Sequence, residues 1–247
     1  SVLEPEETFV FFDSDTLVRG DVSTVPFSRR PTASMARENT WPKPPLYGPG
    51  YGDIWGALYA RFGIEMENTL DRSFDADHWE HYLYFNAGWF TGPDARAFQT
   101  RMIEIMRSIL DDPPPELAAQ TILHWLDQIA LPLAVASFGG GRPGEELAGL
   151  DGDVTQHWRV MPMYYARAKA ADIATLEEIT APNYIKKVLK SHEPFKRMIY
   201  QGRGAKVRAL FDQDALPRRE QIIRQRIKRA GIWMRKRCRI RLSATTD

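Results

Sequence analysis

Short apolar runs alternate with longer segments of helical periodicity along the chain. Residues 8–12 (TFVFF) form a continuously apolar, β-rich run that ends at Asp13. A strand without polar positions is expected to be buried on both faces, as in a parallel sheet that is covered by helices. Residues 22–27 and 33–36 predict two further β segments, and residues 82–85 (YLYF) predict another buried strand.

Helical periodicity dominates the rest of the chain. We predict helices at residues 53–63, 93–110, 116–137, 183–190 and 220–234, and a late strand at residues 157–163. Asp53 is a suitable N-cap for the first helix, and Pro132 interrupts the third. Residues 39–52 contain four prolines and three glycines and predict a long loop, of a kind that often closes over a bound ligand. The mixture of isolated strands and intervening helices indicates an α/β protein.

The composition is that of a folded protein with one unusual segment. Of the 247 residues, 43% are hydrophobic and 11% are aromatic, which excludes wholesale disorder. The formal net charge is only +1, yet residues 218–241 contain eleven Lys/Arg and one acid, which leaves 22 bases and 31 acids elsewhere. We therefore predict two parts, a mildly acidic domain at residues 1–217 and a basic amphipathic segment at residues 218–247.

The basic segment predicts a helix on which Ile222, Ile223 and Ile227 lie near one face. Such a helix suits an anionic membrane surface, and the alternative is a solvated helix that caps the core. No nucleic-acid-binding motif accompanies it, so nucleic acid is not an expected partner. The single cysteine, Cys238, cannot form an intramolecular disulfide, and neither a signal peptide nor an apolar run of membrane-spanning length is recognised. We expect a cytoplasmic protein that associates peripherally with the inner face of the membrane.

Two carboxylates follow the first apolar run with one residue between them, as Asp13-Ser14-Asp15. Ligands gather at the carboxyl ends of strands in open α/β sheets. Carboxylates placed there can hold Mg²⁺ or Mn²⁺, which favour oxygen ligands and keep positions for phosphate oxygens. The alternative is an Asx-type turn in which the aspartates only cap the strand. The spacing alone leaves both interpretations open.

The segment FFDSDTLV around these residues resembles the DxD segment of metal-dependent glycosyltransferases with the GT-A fold. The FNAG run at residues 85–88 resembles a segment of the glycogenin-like and bacterial galactosyltransferase-like members, and the Asp-Gln pair at residues 127–128 resembles a later pair in the same enzymes. The three segments occur in the family's order. The resemblance implies a GT-A-like mixed sheet flanked by helices, with residues 1–217 as the catalytic domain.

The same resemblance implies roles for individual residues. Asp13 and Asp15 would hold Mn²⁺ or Mg²⁺ against the diphosphate of a nucleotide sugar, which is expected to be a UDP-sugar. The other implied contacts are catalytic contacts from Asn86, Asp127 and Gln128, substrate contacts from Ser14, Ala87 and Gly88, and phosphate contacts from Lys196 and Lys206. The implied reaction moves a hexosyl group to a hydroxyl of a glycan or lipid-linked saccharide acceptor, with retention of anomeric configuration.

The family's metal site is completed by a histidine within a segment resembling H-x-x-G-x-x-K, which does not occur intact in this chain. His192 is the preferred candidate for this third ligand, and His157 is the alternative. In the family, nucleotide-binding units come before the DxD segment, whereas only twelve residues precede Asp13. We therefore expect an N-terminally truncated GT-A-like domain.

Two other functional hypotheses stay open. FVFFDSDTLV also resembles the nucleophile motif of haloacid-dehalogenase-type, Mg²⁺-dependent phosphatases, in which Asp13 would attack phosphate and Asp15 would be the acid–base group. That motif places one further residue before Thr16, and it explains neither the FNAG run nor the Asp-Gln pair. The second alternative is a non-catalytic, transferase-like module that docks on a membrane through its basic segment. His78 and His81 lack the spacing of a zinc motif and are interpreted as part of a polar loop.

Overall fold

The computed structural model describes residues 7–233 and divides the chain into two units, Ser1–His157 and Trp158–Asp247. Within the described residues all strands belong to the first unit, whereas the described part of the second unit is helical. The predicted mixed α/β class is confirmed at this level. The boundary predicted at residue 217 is of another kind, since it divides a catalytic domain from a basic segment, and it stays a prediction.

The first unit contains five strands and three α-helices among its described residues. The strands are β1 (Thr8–Phe12), β2 (Thr16–Val18), β3 (Thr32–Met35), β4 (Phe85–Pro93) and β5 (Thr155–His157). The helices are α1 (Tyr51–Arg61), α2 (Ala95–Asp111) and α3 (Leu126–Ser137). Short 3₁₀ turns occur at Val22–Thr24, Glu67–Thr69, Trp79–His81, Pro115–Leu117 and Glu145–Leu147.

The strands form two small antiparallel sheets. β4 is the central strand of a three-stranded sheet and pairs with β1 and β3, while β2 pairs with β5. The expectation of a parallel sheet with both faces covered is therefore wrong. In β1, Phe9 is buried, but Phe11 is 45% exposed and stacks on Phe90 with ring centroids 4.6 Å apart. The apolar run is an edge strand on which Phe9 and Phe11 share one face, and the ring of Phe11 stays partly exposed where it stacks on Phe90 of β4.

The core of the first unit lies between the larger sheet and its helices. α2 packs on α3, and α3 packs on β4. The buried residues of α2 are Phe98, Ile105 and Ile109, whose spacing is the predicted apolar stripe. Asp94 caps this helix, because its side chain accepts hydrogen bonds from two amides of the first turn. A capped and packed helix thus follows β4 directly and supports it.

Of the predicted strands, one is absent from the structure and another begins later than expected. Residues 22–27 are not a strand, because Asp21 accepts a hydrogen bond from the amide of Ser23 and starts a 3₁₀ turn instead. Residues 82–84 are buried but irregular, and the strand predicted there begins only at Phe85. A side chain that bonds its own backbone, as Asp21 does, competes with strand pairing.

Two helices do not begin where the sequence predicts, since α1 begins at Tyr51 and not at residue 53, and α3 begins later than residue 116. Asp53 lies inside the first turn of α1, where its carboxylate accepts a hydrogen bond from the amide of Gly50, and it is therefore not the N-cap. The helix predicted at residues 116–137 begins only at Leu126. Pro132 lies inside this helix without ending it.

The described part of the second unit is a set of short helices. They are α4 (Met161–Arg167), α5 (Ala170–Thr180), α6 (Asn183–Leu189), α7 (Glu193–Phe195), α8 (Arg203–Arg208) and α9 (Glu220–Arg229), with a π-helical segment at Lys196–Tyr200 between α7 and α8. α4 packs on α8 and α9. The helix predicted at residues 183–190 is confirmed by α6. The strand predicted at residues 157–163 is wrong beyond its first residue, since its second half belongs to α4.

The basic segment is described only up to Trp233, so the predictions for Cys238 and for the rest of residues 234–247 lie outside the described residues. On α9, Ile223 and Ile227 are buried, whereas Ile222 is 51% exposed. Most of the apolar face that the sequence assigned to a membrane is therefore used inside the second unit. Among residues 7–233, none of the helices has the length and apolar character needed to span a bilayer.

Candidate metal centre

The Asp13-Ser14-Asp15 segment is the turn between β1 and β2. The amide of Asp13 donates to the carbonyl of Gly88 at 2.9 Å, which continues the pairing of β1 with β4. The amide of Ser14 donates to Asp13 Oδ1 at 2.7 Å, and the amide of Thr16 donates to the Asp13 carbonyl at 3.1 Å. The predicted Asx-type turn would use the amide two residues after Asp13, and the bonds found instead define a β-turn with Ser14 exposed at its tip. It engages Asp13 Oδ1, while Asp13 Oδ2 has a different neighbour.

That neighbour is an imidazole supplied by the smaller sheet. β2 and β5 pair so that Thr16 lies opposite His157. His157 Nε2 is 2.7 Å from Asp15 Oδ1 and 4.0 Å from Asp13 Oδ2. One ligand atom from each of the three residues lies within 4.8 Å of the other two. Asp13, Asp15 and His157 are called the candidate metal centre from here on.

The candidate metal centre is buried on one side and open on the other. The side chain of His157 is 6% exposed, that of Asp15 is 22% exposed and that of Asp13 is 48% exposed. A ligand can therefore approach from the side of Asp13, while His157 is enclosed by the strands behind it.

The donor set fits a divalent cation. Ligand atoms bound to a common ion at 2.1–2.6 Å lie at most about 5 Å apart, and the three candidate atoms meet this limit. Two carboxylates with one imidazole suit Mn²⁺, and also Mg²⁺, with positions left for further oxygen ligands. Only a neutral imidazole can bind a metal ion. A cation bound through Nε2 of His157 would therefore replace the present contact of that nitrogen with Asp15.

The FNAG run at residues 85–88 lies at an irregular bulge in β4. Across one interval of its pairing with β3, β4 advances five residues while β3 advances two. Ala87 has a φ of +57°, in the left-handed region that residues with a side chain rarely adopt. The bulge brings Gly88 against the ring of His157, where a β-carbon would be 2.1 Å from Nδ1. Glycine is thus required at position 88 by the close approach of β4 to the imidazole.

Asn86 holds this bulge in place. Its Nδ2 donates to Ser34 Oγ at 2.9 Å and to the carbonyl of Met35 at 2.6 Å. Its Oδ1 accepts a hydrogen bond from the amide of Gly88 at 2.8 Å. These contacts give Asn86 a positioning role, and the sugar contact implied by the resemblance stays a prediction.

Asp151, which belongs to none of the motifs in the sequence, connects the bulge to the candidate metal centre. Its Oδ1 accepts a hydrogen bond from the amide of His157 at 3.2 Å, and its Oδ2 accepts one from Ser34 Oγ. Ser34 in turn accepts from Asn86, which completes a chain of hydrogen bonds between the bulge and β5. The Asp-Gly pair at residues 151–152 is a turn signal in the sequence, but its hydrogen-bond partner on β3 is remote along the chain.

Asp127 and Gln128 lie in the first turn of α3. Gln128 Oε1 accepts a hydrogen bond from the Tyr84 hydroxyl at 2.8 Å, and Thr40 Oγ1 lies 2.7 Å from the same phenol oxygen. Burial raises the pKa of the Tyr84 phenol, which therefore stays protonated and keeps its donor role at neutral pH. Gln128 is thus anchored at the residue before β4, while the Asp127 side chain is exposed and accessible to a ligand.

The other predicted ligands lie in the second unit. His192 is the N-cap residue of α7 and is exposed. Lys196 lies 3.8 Å from the carboxylate of Glu193, and Lys206 is exposed on α8. No residue of the candidate metal centre comes from this unit, and the roles expected of these three residues stay predictions.

Fold and site together define a mixed α/β protein with a candidate cation site at the end of its first strand. A family model described as a Rhodobacterales glycosyltransferase domain matches residues 1–139, which is more than half of the 247 residues. The chain therefore belongs to this glycosyltransferase family.

The matched residues include Asp13, Asp15 and the FNAG and Asp-Gln segments, whereas Asp151 and His157 lie beyond them. No curated protein matches the chain, and no solved structure matches it. The family supports glycosyl transfer in general and gives no support to the phosphatase alternative.

Proposed function

We propose that the chain transfers a hexosyl group from a nucleotide diphosphate sugar to a hydroxyl of a saccharide acceptor, with a divalent cation at the candidate metal centre. The observation that carries this proposal is the convergence of Asp13, Asp15 and His157 at one open site in a member of a glycosyltransferase family. The order of the DxD, FNAG and Asp-Gln segments supports a GT-A-like assignment within that family.

The residues of the centre have separate tasks in this proposal. Asp15 and His157, the more buried pair, hold the cation, and the half-exposed Asp13 faces the side from which the donor arrives. A cation bound there supplies Lewis-acid stabilisation of the negative charge on the departing diphosphate. His157 takes the place of the third ligand that His192 was expected to fill, because it already contacts Asp15.

The finer assignments rest on the resemblance. UDP is the proposed nucleotide, retention is the proposed stereochemical outcome, and Lys196 and Lys206 are proposed phosphate contacts. The exposed Asp127 is the proposed contact for the acceptor hydroxyl, since its neighbour Gln128 is already bonded to Tyr84.

Replacing each aspartate by asparagine tests the metal site. Asp13→Asn and Asp15→Asn each remove one negative charge and change the side-chain shape little. Each variant is expected to lose at least about tenfold in Mn²⁺ affinity, measured by electron paramagnetic resonance or calorimetry. Each should also lose the rise in melting temperature that Mn²⁺ with UDP is expected to give the wild-type protein.

The matched control is Asp111→Asn, which removes an exposed carboxylate at the end of α2 and should bind Mn²⁺ as the wild type does. Mn²⁺ binding that survives both test substitutions would contradict the metal site. Mg²⁺-dependent release of phosphate from an aryl phosphate, abolished by Asp13→Asn, would support the phosphatase alternative instead.

We also propose that the basic segment attaches the protein to an anionic membrane surface. Ile223 and Ile227 are buried, so an inserted apolar face contributes little to this attachment. Arg219 and Arg229 are exposed at the two ends of α9, and attraction between such cations and anionic lipids carries the proposal.

A further inference from the structure

Among residues 7–233, the two most exposed large hydrophobic side chains are neighbours in the chain. Leu46 is 89% exposed and Tyr47 is 90% exposed. Single exposed hydrophobic residues are common on protein surfaces and need no explanation. An adjacent pair at the tip of a loop does need one, because both side chains leave the protein at the same place. Residues 44–49 (PPLYGP) are called the apolar finger from here on.

Hydrogen bonds fix both ends of the loop that carries the apolar finger. The amide of Lys43 donates to Gln120 Oε1 at 2.8 Å, and Gln120 Nε2 donates to the carbonyl of Lys43 at 3.0 Å. On the other side, the amide of Gly50 donates to Asp53 Oδ2 at 2.8 Å. A loop that is held at both ends loses less conformational entropy when its tip binds a partner.

The tip of the apolar finger is a narrow projection. The chain bends at residues 46–48. Gly48 lies against Pro45, since a β-carbon at position 48 would be 3.0 Å from Cγ of the proline ring. Leu46 and Tyr47 therefore stand outside the bend. Two side chains present far less surface than the roughly 800 Å² that each partner contributes to a stable protein interface, so a protein is not the expected occupant.

The composition of the finger suits a lipid bilayer. Three of its six residues are prolines, which have no amide hydrogen. A backbone amide that leaves water without a partner costs free energy, and the prolines remove this cost at half of the positions. Residues 39–52 contain one lysine and no acidic residue, so anionic headgroups do not repel the loop. Tyrosine is typical of the membrane–water interface, because its ring is apolar and its hydroxyl is polar.

We propose that the apolar finger inserts Leu46 and Tyr47 into the interface of a lipid bilayer. Apolar groups of peripheral proteins reach about 5–10 Å into the boundary between headgroups and acyl chains. This contact goes beyond the attachment proposed for α9, and it requires neither that attachment nor the transfer reaction. The two contacts differ in kind, since α9 offers cations and keeps Ile223 and Ile227 buried, whereas the finger offers apolar side chains.

The double variant Leu46→Ser/Tyr47→Ser removes both apolar side chains and leaves the net charge unchanged. Its matched control is Leu123→Ser/Tyr184→Ser, which removes the same residue types at positions that are 72% and 75% exposed. Co-sedimentation measures binding of the full chain to vesicles of phosphatidylcholine with phosphatidylserine at several salt concentrations. The finger variant should bind about tenfold more weakly than the wild type, and the control should bind as the wild type does. The tenfold ratio should persist as salt is raised, because insertion of apolar groups is not screened.

Fluorescence measures the insertion itself. Tyr47→Trp places an indole on the finger, and its control Tyr184→Trp places one on α6. With brominated phosphatidylcholine in the vesicles, Tyr47→Trp should show quenching beyond that of the wild type, and Tyr184→Trp should show none beyond it. All of these variants should melt within a few degrees of the wild type, because the altered side chains are exposed.

The outcomes separate this proposal from the others. Wild-type binding by the finger variant, an equal loss in the control, or an indole at position 47 that is not quenched would each overturn the insertion. A loss in the finger variant without one in Arg219→Gln/Arg229→Gln would support the finger and overturn attachment through α9, and the reverse would overturn the finger alone. If vesicle binding is unaffected while transfer to a saccharide acceptor falls, Leu46 and Tyr47 contact the acceptor and the insertion is overturned.

Discussion

His157 is held from three sides at the candidate metal centre. Its amide donates to Asp151, its Nε2 lies 2.7 Å from Asp15 Oδ1, and the backbone of Gly88 lies against its ring. A metal-binding imidazole needs a fixed orientation, which groups outside the ligand set usually provide. Asp151 and Gly88 fix the backbone and the ring of His157 in this way. His192, by contrast, is an exposed N-cap residue of a helix of three residues.

Substitution of each histidine by glutamine tests which imidazole binds the cation. We expect His157→Gln to weaken Mn²⁺ binding at least about tenfold, because it removes the buried nitrogen ligand. His192→Gln should leave Mn²⁺ binding unchanged, and so should His124→Gln, which alters another exposed histidine. Titration of Mn²⁺ followed by electron paramagnetic resonance measures all three. If His192→Gln instead weakens Mn²⁺ binding and His157→Gln does not, then His192 of the second unit is the third ligand.

The bulge in β4 is the element that gives the FNAG run its importance. Three of its four residues have roles that follow from their chemistry: Asn86 bonds β3, Ala87 takes the left-handed turn, and Gly88 lets the strand approach His157. Any residue other than glycine at position 88 would place its β-carbon against the imidazole. The bulge therefore brings β4 of the larger sheet into contact with the β2–β5 pair at one site.

Gly88→Ala tests this close approach. A β-carbon at position 88 would lie 2.1 Å from Nδ1 and 2.7 Å from Cγ of His157, so the ring must shift. We expect a loss of about 1–3 kcal/mol in the free energy of unfolding and at least about a tenfold loss in Mn²⁺ affinity. Urea denaturation and Mn²⁺ titration measure the two effects.

The matched control is Gly56→Ala, because Gly56 lies within α1 and has no atom within 4 Å of an added β-carbon. This change should leave Mn²⁺ binding intact and stabilise the protein by up to about 1 kcal/mol. If Gly88→Ala binds Mn²⁺ as tightly as Gly56→Ala does, the packing of β4 against the imidazole is not needed for the site.

Local signals in the sequence predicted the elements whose stability is local. α2 has an apolar stripe that the structure buries, and α6 also lies where it was expected, although none of its residues is buried. The DxD spacing likewise predicted two neighbouring carboxylates, because the turn that holds them is closed locally, by bonds from the amides of Ser14 and Thr16 to Asp13. The antiparallel pairing of β1 was not predictable in this way, since an apolar run does not reveal that its partner is β4, where Phe90 lies opposite Phe11. The third ligand depends on pairing between β2 and β5, more than 130 residues apart in the chain, for which a single sequence has no signal.

At the scale of the whole molecule, a net charge of +1 is the sum of two opposed parts. Residues 218–241 contribute eleven bases and one acid, and the rest of the chain carries an excess of acids. The described part of the basic segment shows how these charges are presented. Its buried isoleucines fix α9 within the second unit, so Arg219 and Arg229 are displayed at the surface on a structured helix.

Attachment of this helix to an anionic membrane should therefore depend on charge and on ionic strength. Each arginine close to an anionic surface contributes about 1 kcal/mol. The double variant Arg219→Gln/Arg229→Gln should thus weaken binding to phosphatidylserine-containing vesicles by about thirtyfold. Wild-type binding should fall as salt is raised, because the interaction is screened beyond about 8–10 Å at physiological ionic strength. Co-sedimentation over a series of salt concentrations measures both effects.

A charge-matched control separates attachment through α9 from attraction by net charge. Arg96→Gln/Arg107→Gln removes two exposed arginines from α2 and changes the net charge by the same amount. If the cations of α9 are the attachment site, the α2 variant binds vesicles as the wild type does. Equal weakening in the two double variants would mean that the whole molecule responds to the membrane field, and the basic segment would then have no special role. Binding that is insensitive to salt and to both double variants would exclude electrostatic attachment of the described arginines altogether.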